Sequence, residues 1–276
     1  MNISAIGVFD SGIGGLTCVK EINRLMPNED VIYFGDTARI PYGTRSRETV
    51  LRYARQDMAF IKKFDVKIII SACGTVSSVS LNEKNFAGED CLYTGVVIPA
   101  AGAAAAATRN KRIGVIGTQA TVKSNAYAKV LKTINQDIKV FGQSCPMFVP
   151  LVENGYVERG NKVSTIIAEQ YLKQIKNEGV DVLILGCTHY PLLTDIIADF
   201  MGNDVTLISS GKEAANTAHA ILTKSNLLTS NEKRGTNRYF VSDGVESFSE
   251  NAALFLGENA EDCTPELINI DEFLAE

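Results

Sequence analysis

The sequence predicts an α/β protein of two similar domains, each a mainly parallel sheet flanked by helices, and three observations carry that prediction. Short β-branched runs alternate with amphipathic stretches along the chain. The runs are near-continuously apolar, as in parallel strands covered on both faces. Two strings also recur in the same order. Ile6-Gly7-Val8 before Asp10-Ser11 matches Ile113-Gly114-Val115 before Gly117-Thr118, 107 positions later. Val66-Lys67-Ile68-Ile69-Ile70-Ser71-Ala72-Cys73 matches Val180-Asp181-Val182-Leu183-Ile184-Leu185-Gly186-Cys187, 114 positions later. The repeat assigns residues 1–98 and 210–276 to a first domain and 99–209 to a second, and makes Cys73 and Cys187 equivalent.

The expected strands are 5–9, 31–34, 67–70, 93–98, 112–116, 139–141, 181–185 and 206–208. The expected helices are 16–25, 47–63, 162–177, 192–201 and 212–222. Glycines at 12, 14 and 15 turn the first strand into the first helix. In 162–177, Val163, Ile166, Ile167, Tyr171 and Ile175 mark one face, and Gly179 follows as the stop. The uncharged run 91–108 is broken by Gly95, Pro99 and Gly102 and is rich in weakly apolar Ala. It reads as a strand entering an Ala-rich helix, not as a membrane span. The opening residues lack a basic segment ahead of an apolar one, so a cytoplasmic chain with reduced thiols is expected.

Composition excludes more than it identifies. The 276 residues carry 32 acidic and 27 basic side chains for a net charge of −5, which argues against a nucleic-acid binder. Six cysteines (18, 73, 91, 145, 187 and 263) lack CxxC spacing, and only His189 and His219 are present, so no metal site is expected. No cofactor motif is found. Asp10-Ser11-Gly12-Ile13-Gly14-Gly15 follows a strand, but Thr17 stands where a dinucleotide fingerprint needs its third glycine. Asp10 opposes a phosphate and suits an ammonium group. Ser209-Ser210-Gly211-Lys212-Glu213 lacks the earlier glycine and final hydroxyl of a P-loop.

The chemistry concentrates at the cysteines. A lone cysteine is ordinarily a buried hydrophobe, but Cys73 and Cys187 end matched strands, where α/β sheets place their crevices. Thr75, Ser77 and Ser78 follow the first and Thr188 the second; helices starting there would lower both thiol pKa values. His189 lies two residues beyond Cys187, with Pro191 suited to a first helical turn. Pro41-Tyr42-Gly43, between Arg39 and Arg45, reads as a turn whose phenol and amides suit an anion. Two opposed thiols fit proton removal from one face of a carbon and delivery to the other. That is the pattern of a cofactor-independent racemase or epimerase.

Four segments then resemble the glutamate racemases in family order: residues 7–17 (GVFDSGIGGLT), Pro41-Tyr42-Gly43-Thr44, Pro150-Leu151-Val152-Glu153-Asn154-Gly155, and Gly186-Cys187-Thr188-His189-Tyr190-Pro191. They cover about the first three-quarters of the chain. The resemblance implies two domains related by a pseudo-twofold axis with the active site between them. It implies interconversion of L- and D-glutamate without metal, nucleotide or pyridoxal phosphate, supplying D-glutamate for peptidoglycan, commonly in a homodimer. Cys73 matches the base acting on D-glutamate and Cys187 the base acting on L-glutamate. Asp10, Ser11, Tyr42, Gly43, Thr75, Thr188 and His189 match substrate contacts, Glu153 an acidic neighbour, and Thr118 and Thr121 are further donors. One position departs: the family's usual asparagine after the first cysteine is Gly74 here, and a lost donor to a charged group costs about 1.5–3 kcal/mol unless the Gly74 N–H or Thr75 compensates. Racemisation of aspartate, or ligand binding without turnover, are the rival readings. Some relatives bind DNA gyrase, but no residue here marks such a surface.

Overall fold

A computed structural model describes residues 4–89, 91–257 and 263–273. Among these residues ten strands form two sheets, parallel throughout. The first contains β1 (Ala5–Asp10), β2 (Val31–Gly35), β3 (Val66–Ser71), β4 (Leu92–Gly95), β9 (Asn237–Val241) and β10 (Glu266–Leu267), in the order β10-β9-β2-β1-β3-β4. The second contains β5 (Arg112–Gly117), β6 (Lys139–Ser144), β7 (Val182–Leu185) and β8 (Thr206–Ser209), in the order β6-β5-β7-β8. The second sheet repeats the order of β2-β1-β3-β4, so β5 stands where β1 does and β7 where β3 does. β9 and β10 return the late chain to the first sheet.

Eleven α-helices complete the described residues: α1 (Leu16–Leu25), α2 (Arg47–Ile61), α3 (Gly74–Val79), α4 (Val97–Ala107), α5 (Gln119–Ser124), α6 (Ala126–Ile134), α7 (Phe148–Glu153), α8 (Lys162–Asn177), α9 (Thr194–Met201), α10 (Ser210–Lys224) and α11 (Val245–Leu256). Ser46 and Asn161 cap α2 and α8 through their side-chain oxygens. β1 and β3 are buried on both faces because Ile6, Val8, Ile68 and Ile70 pack with α1, α10 and α11 residues while Phe9 and Ile69 pack with Ala54, Met58 and Ile61 of α2. Each such side chain contributes about 1.5–3 kcal/mol by leaving water. Among the described residues no helix is long and apolar enough to cross a membrane.

Two expectations are corrected here. The run 93–98 is not one strand: β4 ends at Gly95 and α4 begins at Val97. Val96 and Val97 are both fully buried and Ile98 is exposed, which breaks strand alternation, and Pro99 is tolerated within a helix's first turn. α8 has the expected bounds but a different inner face. Ser164, Ala168, Leu172 and Ile175 are buried, whereas Val163 and Ile166 are exposed, because the small residues bring α8 close to its neighbours. Gly179 does take positive φ, at 65°, as the stop after α8.

Candidate active site

Cys73 and Cys187 follow the equivalent strands β3 and β7 and open into one cavity of about 280 Å³. Asp10, Ser11, Tyr42, Gly43, Gly74, Thr75, Thr118, Glu153, Thr188 and His189 border the same cavity. Thr121 does not border the cavity: it is buried, 3.0 Å from the Thr118 hydroxyl, and its N–H is capped by Thr118. The sequence did not single out Ile40 or Val149, which also line the space. No local pattern distinguishes them from ordinary turn and helix residues.

Hydrogen bonds join the two halves around the cavity. The Thr188 hydroxyl donates to Asp10 Oδ2 at 3.0 Å, and the Thr17 hydroxyl donates to the Thr188 carbonyl at 2.9 Å. The Thr75 and Thr118 hydroxyls lie 3.0 Å apart. The turn after β1 approaches so closely that a Cβ on Gly14 would overlap Thr188 and His189. Asp10 itself is buried, with its Oδ1 accepting from the Ser11 N–H at 2.7 Å.

The thiols have different surroundings. Cys73 stands directly before α3, and its Sγ lies 3.5 Å from the Ser11 hydroxyl. Burial pushes this thiol's pKa well up, with the Asp10 charge adding to the rise, and hydrogen bonds from Ser11 and Val76 do not offset them. The expected lowering by a helix start is therefore overturned at Cys73, because desolvation exceeds what a six-residue helix supplies. At Cys187 no α-helix starts at once. A 3₁₀ turn, Tyr190–Leu193, intervenes with Pro191 in its first positions, and α9 begins only at Thr194.

His189 occupies that side instead. Its Nδ1 lies 3.9 Å from Cys187 Sγ, and its Nε2 lies 2.9 Å from Glu153 Oε1 at the end of α7. Burial favours the neutral ring, but hydrogen bonds to Cys187 and Glu153 and their charges outweigh it and raise the His189 pKa to about 10. The ring also meets Phe255 edge-on at 5.3 Å. Cys187, His189 and Glu153 thus form one hydrogen-bonded series on one side of the cavity, with Cys73 near Ser11 and Asp10 on the other.

Tyr42 requires a correction. Its side chain is buried and its hydroxyl bonds Asp36, with Asp57 at 3.2 Å, so the phenol is engaged behind the wall and is not free to clamp an anion. Arg39 completes this network, 2.6 Å from Asp36 and 3.0 Å from Asp57. Burial and the neighbouring Asp36 charge hold the Asp57 pKa well above the carboxylate range. The network fixes the turn that presents Tyr42 and Gly43 to the cavity. Cys18, Cys91, Cys145 and Cys263 do not line the cavity; burial pushes the pKa of Cys18 and of Cys263 up to about 12.

Fold and site define a two-sheet α/β protein that presents two thiols, each with its own polar partners, to a shared cavity. The chain belongs to the Asp/Glu/Hydantoin racemase family, whose model matches residues 6–218. It is 46% identical over 256 residues to the glutamate racemase of Geobacter metallireducens, covering 92% of this chain and 93% of that protein. The crystal structure of glutamate racemase from Francisella tularensis in complex with D-glutamate is 36% identical with a TM-score of 0.90, covering 99% of this chain and 100% of the other. Picrophilus torridus aspartate racemase, at 18% identity and a TM-score of 0.55 over 81% of this chain and 94% of that one, shares the fold.

Proposed function

We propose that this chain interconverts L- and D-glutamate by a two-base transfer of the α-proton, without metal, nucleotide or pyridoxal phosphate. The observation that carries the reading is the pair of equivalent strand ends that bring Cys73 and Cys187 to one cavity. With L-glutamate, the Cys187 thiolate takes the α-proton, and the Cys73 thiol gives its proton to the opposite face. Cys187 ends as the thiol and Cys73 as the thiolate, and D-glutamate reverses the roles. The raised pKa of Cys73 suits the donor role, and the imidazolium of His189 suits a negatively charged sulfur beside it. Asp10 pairs with the substrate ammonium, which neutralises the charge that opposes a Cys73 thiolate. Hydroxyls of Ser11, Thr75 and Thr118 and the main-chain N–H groups of Tyr42, Gly43 and Gly74 supply donors for the carboxylates and the developing carbanion, while the Thr188 hydroxyl holds Asp10 in place.

The sheet memberships support the division into 1–98 with 210–276 and 99–209. D-glutamate for peptidoglycan is the product's use in this reading, within the cytoplasm. A homodimer is supported by Met147, Tyr156, Val163 and Ile166, apolar side chains left exposed on and beside α8.

The test is turnover of purified protein with no added cofactor, followed by circular dichroism, on glutamate and aspartate separately. Glutamate is expected to racemise and aspartate to remain optically active. Cys73→Ala and Cys187→Ala should each reduce turnover by at least about 10³-fold, whereas Cys91→Ala should leave it unchanged. Intact chirality of glutamate after long incubation would refute the enzyme reading, and preferential turnover of aspartate would reassign the substrate.

A further inference from the structure

Gly74 opens α3 directly after Cys73, and its Cα faces the turn that carries Cys187. A Cβ here would overlap the Gly186 carbonyl oxygen, far inside the 3.0 Å below which such contacts essentially do not occur. It would also lie 3.2 Å from the Gly186 carbonyl carbon and 3.8 Å from the Cys187 Cα. All three obstacles are main chain, so none can swing aside as a side chain would.

Neither backbone can retreat alone. The Gly186 N–H donates to the Ile116 carbonyl at 2.8 Å. A Cβ on Gly186 would itself lie 2.7 Å from that oxygen and 3.2 Å from the Tyr127 ring. On the other side, the Ala72 N–H donates to the Phe9 carbonyl and the Ser77 N–H to the Cys73 carbonyl, both at 2.9 Å. The two halves therefore meet main chain to main chain, one residue from each thiol.

The geometry points to Gly74 as a positioning residue that sets how far the cleft closes. This inference rests on the racemase reading above. The chain lacks a side chain at 74, and the adjoining space belongs to the Gly186 carbonyl. Position 74 thus acts through spacing, with no side-chain donor required of it. In this chain's packing a side chain there would part the halves by on the order of 1 Å, and a displacement of that size costs about 10²-fold in rate when it separates reacting groups.

Gly74→Ala and Gly74→Asn test this against Gly102→Ala, a control in α4 where an added Cβ meets nothing within 4 Å. Both position-74 variants should lose about 10- to 100-fold in kcat while KM moves less than about threefold. The isotope effect on kcat with α-deuterated glutamate should rise as proton transfer becomes limiting. Iodoacetamide should label Cys73 and Cys187 faster in both folded variants, and Gly102→Ala should match the parent throughout. A parent that racemises glutamate while Gly74→Ala keeps its kcat overturns the closure role alone; a parent that does not racemise overturns the underlying reading. Activity of Gly74→Asn at or above the parent's would show a missing donor rather than a spacing constraint, and would also overturn the role. So would loss of the folded state in both variants, because the added atoms lie in a cleft that can part without unfolding either sheet.

Discussion

At the scale of single residues, the two thiols differ less in themselves than in what faces them. Cys73 meets Ser11 and the field of Asp10, while Cys187 meets His189, which is tied to Glu153. The raised pKa of His189 sets a sign for pH dependence. Its contribution to stability is fully present below the ordinary histidine value of 6.5 and is lost as pH rises through about 10. Support of a Cys187 thiolate by the imidazolium should fade over the same upper range. The parent's kcat is therefore expected to fall near pH 10, and His189→Asn should lower kcat for L-glutamate by about 10- to 100-fold and remove that alkaline fall. Because the two substrates are mirror images, kcat/KM must remain equal in both directions, so the asymmetry is confined to kcat and KM separately. An unchanged alkaline limb in His189→Asn would remove His189 from the proton inventory.

Elements show which parts of this were legible beforehand. β3 and β7 were visible because each carries an apolar run, Ile68–Ile70 and Val182–Leu185, with a cysteine two residues beyond the strand end, and their equivalence identified the thiols. Local periodicity misread 93–98, since Val96, Val97 and Ile98 fit a strand until tertiary burial places them in a helix. It also misjudged α8, where small Ser164 and Ala168 are buried and larger Val163 and Ile166 are not. The Tyr42 turn was recognised from its proline and glycine, but the partners of its phenol were not, because Asp36 and Asp57 converge only through the fold. Arg39 is the cation of that network. Its Nη1 also reaches Gln56 at 2.6 Å, and its guanidinium lies 4.1 Å from the centroid of the Tyr53 ring. Arg39→Met leaves two buried carboxyl groups without their cation and should destabilise the fold by about 3–5 kcal/mol. Urea unfolding measures this directly; a midpoint equal to the parent's would mean that the network does not hold the turn.

The whole molecule explains why the sequence repeat matters. Two sheets share one strand order, so matched crevices arise at the ends of β1 and β3 in one half and of β5 and β7 in the other. Setting those crevices against each other gives a single cavity with a thiol from each half and donors from both. The late chain was harder to read, because β9 and β10 gain their meaning only at the edge of the first sheet, where β9 joins β2 and β10 joins β9. The central claim is that one thiol removes the α-proton and the other returns one from the opposite face. The most direct measurement is racemisation of L-glutamate in deuterated water, sampled early and resolved by enantiomer. Two bases predict α-deuterium in the D-glutamate formed, while the remaining L-glutamate stays protiated. Deuterium entering the recovered L-glutamate as fast as D-glutamate forms, or D-glutamate formed without it, would contradict the account.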